Sequence, residues 1–210
     1  MRMFGKAPST PFLVVGLGNP GRQYEDNRHN VGFLAIDAMV RRWKAAGPQT
    51  KFNGELFNAT VGGEKVYLLK PQTYMNDSGK SVQAAAAFFK IPLDRIIVIH
   101  DELDFLPGQV RIKKGGGAGG HNGIRSIDQM CGSPDYQRVR FGIGHPGHKD
   151  RVHGYVLSDF TTDERLLVDP LLEMLAEQLP SLLDLRMADV QNKMALKLQA
   201  LTPQPDKVKE

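Results

Sequence analysis

Five side chains in this sequence form a set able to handle a proton and hold a carbonyl group. His29 stands in the polar stretch GRQYEDNRHN, Asp101 ends the apolar run RIIVIHDEL, and asparagines stand in GLGNPG (Asn19), KPQTYMNDSG (Asn76) and GGHNG (Asn122). A histidine titrates near neutral pH and can take a proton from water, while a carboxylate on its far nitrogen fixes the tautomer. Neutral amides can donate to a carbonyl oxygen or a phosphate. Each residue also has a plainer role: His29 exposed or capping, Asp101 in a turn, Asn19 tolerating left-handed backbone, Asn122 capping a helix. The sequence offers no HExxH, no GxSxG and no zinc spacing among its six histidines. Its single cysteine, Cys131, leaves no disulfide framework and no CxxC knuckle, and is read as a small packed thiol.

The glycines Gly16, Gly18 and Gly21 have the spacing G-x-G-x-x-G, which after a strand suggests a dinucleotide pyrophosphate on a helix N-terminus. That fingerprint needs a helix opening at the loop and an acidic residue ending a second strand. Here the polar run GRQYEDNRHN intervenes, and Asp37 falls inside the first helix. The loop is instead a strand end, the place where α/β sheets bind ligands.

The elements that must position these residues alternate along the chain. A strand over 12–17 precedes the glycine loop, and VGFLAIDAMVRRWK predicts a helix over 30–44. Strands follow at 56–61 and 65–71 around the turn Gly62-Gly63, then a helix opening at Ser78. RIIVIHDEL reads as a buried strand, QVRIK as an alternating one, and a helix from Asn122 to about Met130 leads into the strand RVRFGIG. The last third is helical from Thr161, with Pro170 and Pro180 expected to kink or segment it. The pattern predicts a single α/β domain over 1–200: a mixed, mostly parallel, twisted β-sheet with helices on both faces. The polar tail 201–210 is expected to be disordered. With 41% hydrophobic and 24% charged residues in 210, a sizeable core is expected. No long uncharged apolar stretch and no signal-peptide core occur, so no membrane association and a cytoplasmic location are expected. A net charge of +4 suits a polyanionic partner without identifying one.

Four stretches, VVGLGNPGRQYEDNRHNVGF, LLKPQTYMNDSGKSV, IIVIHDELDFLPGQVRIKKGGGAGGHNGIRSI and YQRVRFGIGHPG, occur in this order. On them the chain resembles the bacterial peptidyl-tRNA hydrolases. The resemblance implies cleavage of the ester between a nascent peptide and the 3′ end of tRNA, recycling tRNA from prematurely released peptidyl-tRNA. It implies His29 as the catalytic histidine, Asp101 as its partner, and Asn19, Asn76 and Asn122 as holding peptide and ester, with Tyr24 and Met75 lining the cleft. Lys113 and Arg140 match the basic pair that receives the 5′ phosphate. Neither metal nor cofactor is implied. The partner it implies is peptidyl-tRNA, bound by its acceptor arm and CCA end, with a monomer expected. Arg111, Lys114, Arg125, Arg138 and Lys149 are read as widening the basic surface by phosphate contacts. An ester of a ribose hydroxyl is activated enough for water, a base and a stabilised oxyanion to suffice. Two other classes stay open: an RNA-binding relative without catalysis, and a different esterase or a dinucleotide enzyme.

Overall fold

Runs of β-branched and aliphatic residues bury both faces of a strand, as a parallel sheet covered by helices requires. β1 (Phe12–Gly16) is such a run and is buried throughout. It pairs in parallel with β4 (Glu64–Pro71), Val14 opposite Leu68, and with β5 (Ile96–Glu102), Val14 opposite Ile97. β5 pairs in parallel with β7 (Gln137–Gly142). Antiparallel strands flank this centre: β3 (Gly54–Val61) on β4, the edge strand β2 (Ala46–Lys51) on β3, and β6 (Val110–Lys114) on β7. The order is β2-β3-β4-β1-β5-β7-β6. This computed structural model describes residues 10–202.

Alternation along the strands divides the core in two. Phe12 and Val14 face a cluster shared with α1 (Val31–Trp43), α5 (Thr162–Glu177), α6 (Leu179–Leu183) and α7 (Met187–Leu201). Leu13 and Val15 face a second cluster with α2 (Ser78–Phe89) and α3 (Asn122–Cys131). Helices thus cover both faces of one mixed sheet. A short helix, α4 (Val152–Val156), links β7 to α5.

The glycines of the first loop serve packing. A Cβ at Gly16 would lie 2.0 Å from the Gly32 carbonyl oxygen, and one at Gly18 would lie 2.7 Å from the Phe33 ring. They let α1 rest directly on β1, and α1 starts only after two 3₁₀ turns, Arg22–Tyr24 and Arg28–Asn30. The dinucleotide geometry, a helix opening on the glycines, is therefore not formed.

Some expectations need correction. β2 has no counterpart in the sequence reading, because AGPQTK is exposed along its whole length and carries no apolar alternation. α5 continues through Pro170; the Leu166 carbonyl that loses its partner belongs to an exposed residue, where water can serve it. Pro180 does segment the chain, standing in the first turn of α6. α7 runs through Leu201, and the tail reading for 203–210 lies outside the described residues.

Candidate active site

The chain passes from β1 to β4 on one side of the sheet and then to β5 on the other side of β1. The crevice at the carboxyl ends of β1 and β5 is thus where the order reverses, the position α/β sheets use for ligands. Asp101, second from the end of β5, is buried there. Its Oδ1 meets His29 Nδ1 at 2.8 Å and His121 Nε2 at 2.9 Å.

The protons can be assigned from the partners. Burial would push the Asp101 carboxyl up, but His29 and His121 outweigh it and hold it well below the usual carboxylate range. A carboxylate only accepts, so both ring nitrogens donate to it. His121 Nδ1 accepts the backbone N–H groups of Gly123 and Ile124 at 3.1 and 3.3 Å, capping α3, so His121 is neutral with its proton on Nε2. His29, donating from Nδ1, keeps Nε2 as a lone pair with no hydrogen-bond partner among the described residues. Burial lowers the His29 pKa, yet the charge and hydrogen bond of Asp101 more than offset this, and the net shift is upward. Beneath them His100 is buried, donates from Nδ1 to the Asp101 carbonyl at 2.7 Å, and is held neutral by burial, which pulls its pKa down to about 3. The rings of His29 and His100 lie 5.0 and 4.8 Å from that of His121.

His29, Asp101 and His121 offer ligand atoms within 4.8 Å of one another, a set that by residue type could hold a transition metal. A metal needs lone pairs where His29 Nδ1 and His121 Nε2 carry protons. His121 cannot shift its proton to Nδ1 without giving up the cap of α3. The hydrogen-bonded arrangement suits these residues better than a metal does, although sequence spacing gave no sign of the cluster.

The asparagines are tied to this centre through their neighbours. Asn19 and Asn30 exchange hydrogen bonds, the Asn19 N–H donating to Asn30 Oδ1 and Asn30 Nδ2 to the Asn19 carbonyl, each at 2.9 Å. Asn19 Oδ1 accepts the Met75 N–H at 2.8 Å, which leaves its Nδ2 without a partner among the described residues. Asn76 follows Met75 in the 3₁₀ turn Met75–Asp77 and is exposed. Buried Met75 lies against Gly123, where a Cβ would come within 2.6 Å of its sulfur. The exposed Asn122 stands one residue before that glycine, its Oδ1 accepting from Arg125 at 3.3 Å. α2 and α3 pack closely: a Cβ at Gly79 would lie 2.1 Å from the Ser126 carbonyl oxygen, and the Gly79 N–H donates to Ser126 Oγ at 2.9 Å. Tyr24 is half-buried in the turn Arg22–Tyr24 and has no side-chain hydrogen bond among the described residues. Beside Asn19 a cavity of about 330 Å³, lined by Glu25, Asp26, Asp37 and Glu55, stops short of His29 and Asp101.

The predicted basic pair stands apart, on the outer ribbon. Lys113 lies opposite Arg138, and Arg111 opposite Arg140, so alternation puts all four on one face. Arg140 lies over the Phe105 ring, 3.7 Å from Glu102. Burial, then Arg140 and Arg138, lower the Lys113 pKa against the pull of Glu102 and Asp128. Arg138 overturns its reading as a surface phosphate contact. It is 1% exposed, donating to Asp128 at 2.9 Å and to the Gly117 carbonyl at 3.0 Å beneath the glycine-rich loop. Arg111, Lys114, Arg125 and Lys149 are exposed.

His121 is the residue sequence reasoning missed. A signal existed: it occupies an N-cap position, where histidine is not a favoured type.

A family profile described as Peptidyl-tRNA hydrolase matches residues 13–202. The chain is 54% identical over 187 residues to a peptidyl-tRNA hydrolase of Methylobacterium sp., covering 89% of this chain and 92% of that one. It is 54% identical over 185 residues to one of Acidiphilium cryptum, covering 88% and 96%. The crystal structure of peptidyl-tRNA hydrolase from Acinetobacter baumannii superposes with a TM-score of 0.83 at 39% identity, covering 90% of this chain and 97% of that one.

Proposed function

The chain belongs to the peptidyl-tRNA hydrolase family, and from that premise we propose how its residues hydrolyse the ester of peptidyl-tRNA. The observation that carries the reading is the His29 to Asp101 hydrogen bond of 2.8 Å, which leaves His29 Nε2 as a free base in a nearly dry site. Water gives a proton to Nε2 as its oxygen attacks the ester carbonyl. Asp101 stabilises the imidazolium, and the proton then passes to the departing ribose oxygen. Peptide and tRNA leave with the elements of water shared between them.

The unpartnered Asn19 Nδ2 and the exposed amides of Asn76 and Asn122 bind the ester and the peptide backbone. One amide donor aimed at the oxyanion is worth about 3 kcal/mol. Neutral donors suit a peptide of any sequence. Tyr24 and Met75 line the same cleft. Lys113 and Arg140 take the 5′ phosphate, which lays the acceptor arm along the basic ribbon and brings the CCA end to His29. Base, orienter and amides all come from one chain, which supports a monomer. The described residues include no helix long and apolar enough to cross a membrane, and the reading includes a cytoplasmic place of action.

The test is release of an N-blocked amino acid from tRNA, with unblocked aminoacyl-tRNA as control, each with and without chelator. Blocked substrate is expected to be cleaved far faster, because a free ammonium would meet amides suited to a neutral peptide bond. Chelator is expected to leave the rate unchanged. Equal rates for the two substrates would refute the asparagine roles, and loss to chelator with recovery on zinc would convert the two histidines and Asp101 into a metal centre.

A further inference from the structure

Arg28, next to His29 in the chain, is buried to 5% exposure although arginine is seldom buried unless paired. Its Nη1 donates to Ser158 Oγ at 2.7 Å, to the Ser158 carbonyl at 3.2 Å and to the Asp159 carbonyl at 2.6 Å. Its Nη2 meets Glu164 Oε2 at 2.5 Å. The guanidinium lies 4.4 Å from the Tyr155 ring centre and 5.5 Å from that of Phe160, while its buried Nε has no partner among the described residues. Glu164 Oε2 also accepts the Thr161 N–H at 2.7 Å, closing the capping box that starts α5. Two further bonds reinforce the clamp: the Arg28 backbone N–H donates to the Ser158 carbonyl at 3.1 Å, and the Asn27 side-chain Nδ2 donates to Asp159 Oδ1 at 2.6 Å.

A buried ion pair contributes little net stability compared with apolar residues of similar volume; its best-attested use is to fix one arrangement. The arrangement at stake here is that of the turn Arg28–Asn30. On one side Asn30 fastens it to Asn19, and Gly32 lets α1 settle where a Cβ would lie only 2.5 Å from the Ile99 carbonyl oxygen. Its other side is held by the Arg28 clamp together with the Asn27 and backbone bonds to Ser158 and Asp159. Resting on the reading of His29 as the base, we propose that Arg28 is a positioning residue: it anchors the turn to the Tyr155–Glu164 segment so that the His29 imidazole stays in hydrogen-bonding register with Asp101.

The sign of one readout separates positioning from charge. The group facing His29 is Asp101, with His121 on the same oxygen. Simply deleting a nearby cation would make His29 easier to protonate, moving the acid limb of kcat/KM up. Losing register with Asp101 removes what raises the His29 pKa and moves that limb down. Arg28→Gln, Arg28→Lys and Glu164→Gln are compared with wild type and His29→Ala for kcat, KM, the acid limb and thermal unfolding. Arg28→Gln is expected to lower kcat on the order of tenfold to a hundredfold, since a displacement of about 1 Å costs that much. KM should stay within about threefold and the limb should move to lower pH. Arg28→Lys, which keeps the charge but not the fork, should fall between. If Arg28→Gln does not fold, the limb is read in Arg28→Lys and Glu164→Gln, where the same downward movement is expected. An unmoved or rising limb, a change confined to KM, or losses that only track the folded fraction would overturn the proposal. Full activity in His29→Ala would instead overturn the reading on which it rests.

Discussion

One carboxylate oxygen serves two histidines, and the proton positions that follow dictate how the site answers to pH. A general base must be neutral, and His29 has its pKa raised by Asp101 against the pull of burial, so kcat/KM should fall on the acid side with an apparent pKa above the ordinary histidine value. Asp101→Asn removes the charge and leaves the burial, so the limb should move to lower pH while the plateau drops. Stability responds with opposite signs. The lowered Asp101 pKa contributes stability above the ordinary carboxylate value, lost as pH falls through the folded value. The raised His29 pKa contributes below the ordinary histidine value, lost as pH rises through the folded one. His29→Ala should lower kcat by about 10² or more with modest change in KM. Groups that act as a unit are not additive, so the double mutant should be little worse than His29→Ala alone. Losses that multiply in steady-state kinetics would show Asp101 working independently of the histidine.

α3 does two things through one side chain, because His121 caps its N-terminus with Nδ1 and holds Asp101 with Nε2. The two can be separated. His121→Ala loses both and should cost about 0.5–2 kcal/mol in denaturant unfolding along with activity. His121→Asn restores a favoured cap but is too short to keep the Asp101 bond, so stability should largely return while kcat stays low. Recovery of both would leave His121 with a capping role only. This double duty explains what the sequence could and could not disclose. The parallel strands announce themselves as apolar runs, and α1, α2 and α3 by period and punctuation, because burial writes its period into the chain. His29 and Asp101 stand out in the sequence as a candidate base and orienter, but their pairing comes from the resemblance, since 72 residues separate them. His121, Arg28 and Arg138 take their roles from partners distant in sequence and brought near by packing, and β2 is exposed on all six residues with no periodic signal to show. A buried arginine looks in sequence like an exposed one, which is how Arg138 came to be read as surface.

Charge is distributed unevenly over the whole molecule, and the substrate it suits is one with a polyanionic end and a neutral end. On the Asn19 side the cavity carries Glu25, Asp26, Asp37 and Glu55 around Lys70, which Asp37 and Glu55 hold at 2.8 and 3.0 Å. The β6-β7 ribbon carries Arg111, Lys113, Arg138 and Arg140 on one face. On the reading proposed above, a tRNA with its backbone toward that ribbon would be attracted there and repelled at the other end, so the field itself would help to set which end meets His29. Affinity gained from neutralising phosphates is lost as salt rises, because binding releases condensed counterions. Lys113, crowded by two arginines, has the unspent charge for such a contact. Lys113→Ala should therefore raise KM for tRNA substrates with kcat little changed, since the phosphate is held alike in ground and transition states. It should also flatten log affinity against log salt by up to about 0.9 per lost contact, the duplex limit. Arg138 is the internal contrast. Its charge is neutralised by Asp128 and sealed under the glycine-rich loop, so Arg138→Gln should cost about 1.5–3 kcal/mol of stability through lost charged hydrogen bonds and leave the salt slope near wild type. A flattened slope in Arg138→Gln, or a collapse of kcat in Lys113→Ala with the slope intact, would show that the ribbon does not divide its work between an exposed phosphate contact and a buried support.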